Sequence, residues 1–76
     1  MSEKFPHVTA DQIIRVLKKS GFILDRSKGS HQIFLHPVKK LRAVVPFHKG
    51  KIIRMGTLKS ILDDAEISFE QLRELL

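Results

Sequence analysis

The chain has 76 residues, 42% of them apolar and none of them cysteine, which suits one domain with a modest core and excludes disulfides and thiolate metal sites. Lys and Arg number 14 against 8 Asp and Glu, and this net charge of +6 favours polyanionic partners. No apolar run reaches the ~18 residues of a membrane span and residues 1–7 lack a signal-peptide core, so we expect a cytoplasmic protein without membrane contact.

The first predicted element is an amphipathic helix that begins after Thr9. Thr9 and Gln12 have the spacing of a capping box. Apolar residues then recur at i, i+3, i+4 and i+7, the stripe of one helix face: Ala10, Ile13, Ile14 and Leu17. Gly21 suits the left-handed position that ends a helix. We assign residues 1–8 to an N-terminal tail and residues 9–76 to a single domain.

Three short strand-like runs follow this helix. They span residues 22–24, 31–36 and 41–45. The segment Ser-Lys-Gly-Ser at residues 27–30 is typical of a turn, and Pro37 ends the second run. Strands separated by such short turns pair as antiparallel neighbours, so we expect a three-stranded antiparallel sheet.

Two further helical patterns complete the chain. The apolar stripe repeats at positions 58, 61, 62 and 65, which predicts a helix that begins near residues 55–57. Ser68 and Gln71 form a second capping box, which opens a short last helix. The order α-β-β-β-α predicts an α+β fold with the helices packed on one face of the sheet. The open second face is also the layout of double-stranded-RNA-binding domains.

The positive charge is concentrated in one part of the chain. Residues 1–62 carry 13 basic and 3 acidic side chains, whereas residues 63–76 carry five acids and only one base. A surface of this sign attracts polyphosphates and speeds encounter with nucleic acid. The alternative is a solvated, lysine-rich surface without a ligand. If nucleic acid binds, we expect it to run along Lys39, Lys40 and Arg42.

His31 is the strongest candidate for chemistry. It begins the second strand directly after Lys28, Gly29 and Ser30, and Arg26 belongs to the same hairpin. Imidazole changes protonation near neutral pH, and nearby cations favour its neutral form, which can accept a proton from a ribose 2′-hydroxyl. The alternative interpretation is a half-exposed strand histidine beside a hairpin turn.

The other candidate residues have more ordinary interpretations. Histidines stand at positions 7, 31, 36 and 48 without the spacing of metal ligands, so we predict no metal site and no cofactor. His36 precedes a proline and is expected to be a turn residue. Phe47 either stacks on an RNA base or closes the edge of the core.

Several motifs, in the same order along the chain, resemble those of the HicA toxin family. The central motif is Lys28-Gly29-Ser30-His31, followed by Phe34 and by His36-Pro37. The others are Lys19-Ser20-Gly21-Phe22, Val45-Pro46-x-His48, the run Gly56-Thr57-Leu58-Lys59-Ser60-Ile61-Leu62 and the tail from Ile67-Ser68 to Leu76. The resemblance covers residues 9–76.

This resemblance implies a type II toxin that is a ribosome-independent mRNA interferase with a double-stranded-RNA-binding-like fold. It implies a HicB-type antitoxin that masks the active surface, and it identifies His31 as the catalytic histidine of the Gly-Ser-His motif. Many members carry a second histidine after this one, where this chain has Gln32. The identity of a second proton-transfer group is therefore open. His31 is then the general base of a metal-independent cleavage that leaves a 2′,3′-cyclic phosphate.

Six further residues are predicted to bind the RNA: Arg26, Lys28, Gly29, Ser30, His48 and Lys51. Cations and backbone N–H groups stabilise the charge that develops on phosphate oxygens. The candidate acid for the leaving 5′-oxygen is His48, with a lysine or water as alternatives. Two other functions remain open: a non-catalytic RNA-binding module of the same fold, and a protein-interaction domain whose basic face binds an acidic partner.

Overall fold

Three helices and three strands form the fold in a computed structural model, which describes residues 7–76. In chain order they are α1 (Ala10–Lys19), β1 (Ile23–Lys28), β2 (His31–His36), β3 (Leu41–Pro46), α2 (Met55–Ala65) and α3 (Phe69–Leu75). The strands form one antiparallel sheet in the order β1-β2-β3. The predicted α+β, double-stranded-RNA-binding-like fold is therefore confirmed. Residues 1–6 of the predicted tail lie outside the described residues.

Two predicted capping boxes fix the starts of α1 and α3. The Thr9 hydroxyl accepts a hydrogen bond from the backbone N–H of Gln12 at 3.3 Å, and the Gln12 side chain accepts one from the N–H of Thr9 at 2.9 Å. Ser68 and Gln71 make the same pair of bonds at 3.1 and 2.8 Å. These bonds satisfy backbone donors that a helix start leaves without partners. Local sequence thus determines where both helices begin.

The hydrophobic core lies between the helices and one face of the sheet. Phe34 of β2 is fully buried and directly faces Ala43 of β3. Apolar residues of all three helices pack into the same cluster, among them Ile13, Leu17, Leu58, Leu62 and Leu72. Val8 is also fully buried, and its carbonyl accepts a hydrogen bond from the N–H of Ile53 at 2.8 Å. The packed structure therefore begins one residue before the predicted domain boundary.

The strand register defines the opposite, open face of the sheet. Directly opposed residues of antiparallel strands share a face, and successive residues alternate between faces. Because Phe34 faces the core, Ile33 lies on the open face, opposite Arg26 of β1 and Val44 of β3. Ile33 is only 8% exposed, although it lies outside the helix-packed cluster. At the centre of the open face, the apolar side chain of Ile33 is therefore largely covered by its neighbours.

β1 is longer than the sequence predicts. It extends to Lys28 rather than ending at Leu24, because a bulge at Asp25 shifts the register and lets pairing with β2 continue. All six of its residues are exposed, so no apolar alternation marks them. The predicted four-residue turn is reduced to Gly29 and Ser30, and Arg26 and Lys28 lie within the strand.

No helix in the stretch from residue 7 to residue 76 is long and apolar enough to cross a membrane.

Candidate functional site

His31 is presented at one end of the sheet by a tight hairpin. Lys28 pairs with His31, and Gly29 supplies the positive φ of +60° that the two-residue turn requires. On the other side, His31 faces Pro46 of β3. The N–H of Phe47 donates a hydrogen bond to the carbonyl of Ser30 at 2.6 Å, which ties the turn to the end of β3. The exposed imidazole therefore sits on a backbone that is fixed on both sides.

Basic side chains of β1 share the open face with His31. Lys28 is in the same cross-strand row, where opposed Cβ atoms lie roughly 4.5–5.5 Å apart. Arg26 is one row away, and its Nε lies 3.1 Å from Oδ2 of Asp25. This ion pair is exposed, so it holds the guanidinium only weakly. The structure thus brings three predicted site residues together on one surface.

The His31 imidazole is free to contact a ligand. Among residues 7–76, no hydrogen bond or ion pair engages its ring nitrogens. A general base in a preorganised site often has an orienting partner on its second nitrogen, as in the Ser-His-Asp arrangement. Here the described chain supplies none, so any orientation of the ring must come from the bound substrate or from the neighbouring side chains of the row.

Gln32 cannot act beside His31 on the open face. Strand alternation places Gln32 on the helix-covered face, opposite the buried Val45. A group that transfers a second proton must therefore come from another part of the chain or from solvent.

His48 and Lys51 lie in a cleft of about 270 Å³ between the end of β3 and the start of α2, which we call the α2 cleft. Its lining residues are Pro46, His48, Lys51, Ile52, Ile53, Arg54 and Thr57. The loop turns where the N–H of Lys51 donates to the carbonyl of His48 at 3.0 Å, with Gly50 at a φ of +76°. Pro46 connects this cleft to the His31 row, since it belongs to both.

Arg54 also lines the α2 cleft, although it is not among the residues predicted to bind RNA. It is the N-cap of α2 and lies three residues after Lys51. Its position at the end of a basic loop, just before an amphipathic helix, was the available signal. The connection between loop and cleft depends on the tertiary fold, which local patterns do not report.

His36 has a structural role at the other end of the sheet. Its Nδ1 accepts a hydrogen bond from the backbone N–H of Lys39 at 3.0 Å, and its ring packs edge-on against Phe22 with centroids 5.2 Å apart. His36 is therefore the last residue of β2 rather than a turn residue, and its side chain binds the turn that follows. Phe47 is half-buried against the core, which supports the core-edge interpretation.

The three other predicted RNA contacts separate into two groups. Arg42 faces Leu35 and so lies on the open face. Lys39 and Lys40 lie in the turn between β2 and β3, at the end of the sheet away from His31. Of the three, only Arg42 is therefore part of the surface that His31 shares.

The part of the chain that the structure describes holds no group of three or more His, Asp or Glu side chains that could bind a metal ion.

Comparison with known proteins gives one family. The model for the family described as "HicA toxin of bacterial toxin-antitoxin" matches residues 10–67, more than half of the chain. The matched region includes α1, the whole sheet and α2, and with them the His31 hairpin and the α2 cleft. No curated protein matches the chain.

Proposed function

Because the chain belongs to the HicA family of toxins from bacterial toxin–antitoxin systems, we propose that it is an endoribonuclease that cleaves mRNA with His31 as its general base. The proposed reaction needs neither a ribosome nor a metal ion. The observation that carries the proposal is the cross-strand row on the open face. In that row an exposed imidazole stands beside Lys28, at a tight turn that a phosphate backbone can approach closely.

The proposed chemistry is an internal transfer at phosphorus. His31 removes the proton of a ribose 2′-hydroxyl, and the 2′-oxygen forms a bond to the adjacent phosphorus. The bond from phosphorus to the 5′-oxygen breaks, which leaves a 2′,3′-cyclic phosphate and a free 5′-hydroxyl after protonation. General-base assistance of this kind contributes about 10²–10⁴ in rate.

The hairpin between β1 and β2 stabilises the negative charge of the transition state in this proposal. Lys28 and Arg26 lie on the same face as His31, and their positive charges stabilise the negative charge that develops on the non-bridging phosphate oxygens. Backbone N–H groups at Gly29 and Ser30 are further donors at the same turn. The proton for the leaving 5′-oxygen comes from His48 in this proposal, with a lysine or water as alternative donors.

The partner in this proposal is a HicB-type antitoxin. Membership of a toxin family of toxin–antitoxin systems implies an antitoxin, and the basic open face favours one with an acidic surface. Such a partner would cover His31 and the neighbouring cations together. Binding of RNA and of antitoxin should therefore be mutually exclusive.

A non-catalytic RNA-binding module is the second candidate function. It is favoured by the His31 imidazole itself, which makes no hydrogen bond or ion pair with another side chain among residues 7–76. In that case the same basic face holds RNA without cutting it.

Incubation of a long unstructured RNA with the purified protein in EDTA distinguishes these functions. We expect fragments that end in 2′,3′-cyclic phosphate from the wild-type protein and intact RNA from His31→Ala. His7→Ala is the matched control, since it removes an exposed histidine to which no role is assigned. Equal cleavage by His31→Ala would remove the histidine from the mechanism. Intact RNA with the wild-type protein, together with salt-sensitive binding, would leave the binding module.

A further inference from the structure

The α2 cleft combines an apolar wall with a fixed backbone. Its wall is formed by Pro46, Ile52 and Ile53. Ile52 is 56% exposed, although an isolated bridge to Thr9 holds its backbone, and the next residue donates its N–H to the carbonyl of Val8. A large aliphatic side chain on a fixed backbone thus faces solvent at the cleft.

The rim of the cleft is cationic. His48, Lys51 and Arg54 line it together with Thr57, whose hydroxyl can donate or accept a hydrogen bond. None of the described lining residues is Asp or Glu, so no carboxylate at the cleft compensates this charge. A cleft with this composition excludes cationic ligands and attracts anions.

An apolar wall below a cationic rim is complementary to a nucleotide. The flat face of a base can pack between apolar as well as aromatic side chains, while basic groups bind the phosphate. The volume of about 270 Å³ is just below the roughly 300–1,000 Å³ typical of small-molecule sites, so the cleft suits one nucleotide rather than several.

The cleft also lies next to the candidate catalytic row. Pro46 forms part of its wall and is the residue directly opposite His31 on the open face. An RNA strand with a phosphate at His31 therefore reaches the cleft across one proline side chain.

We propose that the α2 cleft is a nucleotide subsite, which holds one base of the RNA substrate against Pro46 and Ile52 and an adjacent phosphate at Lys51 and Arg54. The inference rests on the proposed function in that it takes RNA as the substrate. It adds a binding site for a single nucleotide at a defined place, directly beside the candidate catalytic row.

Titration of the isotope-labelled His31→Ala protein with each of the four nucleoside 5′-monophosphates tests the subsite by amide chemical shifts. We expect saturable shifts at residues 46–57 with at least one nucleotide, and weaker binding of inorganic phosphate. Loss of the apolar contact in Ile52→Ser should weaken nucleotide binding roughly fivefold or more, because less apolar surface is buried against the base. Val38→Ser is the matched control, because Val38 is 82% exposed in the turn between β2 and β3.

The charged rim is tested in the same way. Lys51→Gln should weaken both nucleotide and phosphate, whereas Lys18→Gln, an exposed lysine of α1, removes the same charge and should change neither. Shifts without saturation, equal binding of phosphate and nucleotides, or unchanged binding by Ile52→Ser would each overturn the subsite. Because the titrated protein lacks His31, its result does not depend on catalysis. Uncut RNA in the cleavage assay would instead overturn the proposed endoribonuclease.

Discussion

Gly21 joins α1 to β1 at a point where both the backbone and the available space require glycine. Its φ is +98°, and a Cβ built there would lie 2.7 Å from Nε2 of His36, closer than side-chain contacts allow. We expect Gly21→Ala to lower the free energy of unfolding by at least about 1–2 kcal/mol, the cost of a left-handed conformation for a residue with a Cβ. Urea denaturation followed by circular dichroism would show a lower midpoint with an unchanged slope.

Gly56 provides a matched control, since it lies inside α2 and a Cβ there meets nothing within 4 Å. Gly56→Ala should raise the free energy of unfolding by about 0.5–1 kcal/mol, because alanine loses less backbone entropy in a helix. Equal effects of the two substitutions would mean that neither the positive φ nor the His36 contact decides the stability at Gly21.

Single residues could be predicted from the sequence where their signal is local. The Gly-Ser turn predicted a strand that begins at His31, and Pro37 predicted that this strand ends at His36. The contact between His36 and Gly21 could not be predicted, because it joins residues that are distant in sequence and depends on how α1 approaches the sheet. The position of Arg54 in the α2 cleft could not be predicted for the same reason, since only the fold brings it there.

At the scale of elements, the helices followed from the sequence, whereas the length of β1 did not. Helix periodicity and two capping boxes gave the starts of α1 and α3 to the residue. β1 has a bulge and six exposed residues, so neither alternation nor burial marks its length. Its pairing is determined by β2, whose own alternation places Phe34 in the core.

The helix α3 has only seven residues, which makes its cap a sensitive position. Leu72 is the buried residue of α3. Near the end of this helix, Nζ of Lys19 donates a hydrogen bond to the carbonyl of Leu75 at 2.9 Å. Ser68→Ala removes the side-chain acceptor for the N–H of Gln71, and we expect a loss of about 0.5–2 kcal/mol in the free energy of unfolding.

The measurement is amide hydrogen exchange together with urea denaturation. Exchange in residues 69–75 should speed up more than exchange in α1. Ser60→Ala in α2 is the control, since Ser60 is exposed and caps no helix. Its free energy of unfolding should change by no more than about 0.5 kcal/mol. A similar loss in both variants would show that the cap bond does not hold α3.

At the scale of the whole molecule, the two faces of the sheet differ in composition. The helices bury one side of the sheet, and the opposite side carries His31, Arg26, Lys28 and Arg42 around a covered apolar centre. The sequence predicted the layout and the sign of the charge. It did not predict which strand residues share the open face, because a bulge at Asp25 and the true length of β1 determine the register.

The location of the RNA surface can be tested with two variants that remove the same number of positive charges from different surfaces. The double variant Arg26→Gln/Lys28→Gln and the double variant Arg15→Gln/Lys18→Gln each remove two positive charges, the first from the open face and the second from the exposed side of α1. Because binding releases counterions, the logarithm of the affinity for single-stranded RNA falls linearly with the logarithm of the salt concentration. Each phosphate contact adds roughly 0.7 to the steepness of this plot. The measurement uses a His31→Ala background, which is predicted to leave RNA intact. There we expect the open-face variant to lower the steepness of the plot of log affinity against log salt by about 1.4. The α1 variant should retain the original slope. Equal losses in both would mean that RNA responds to the net charge alone, and the open face would then lose its assignment as the surface that positions RNA at His31.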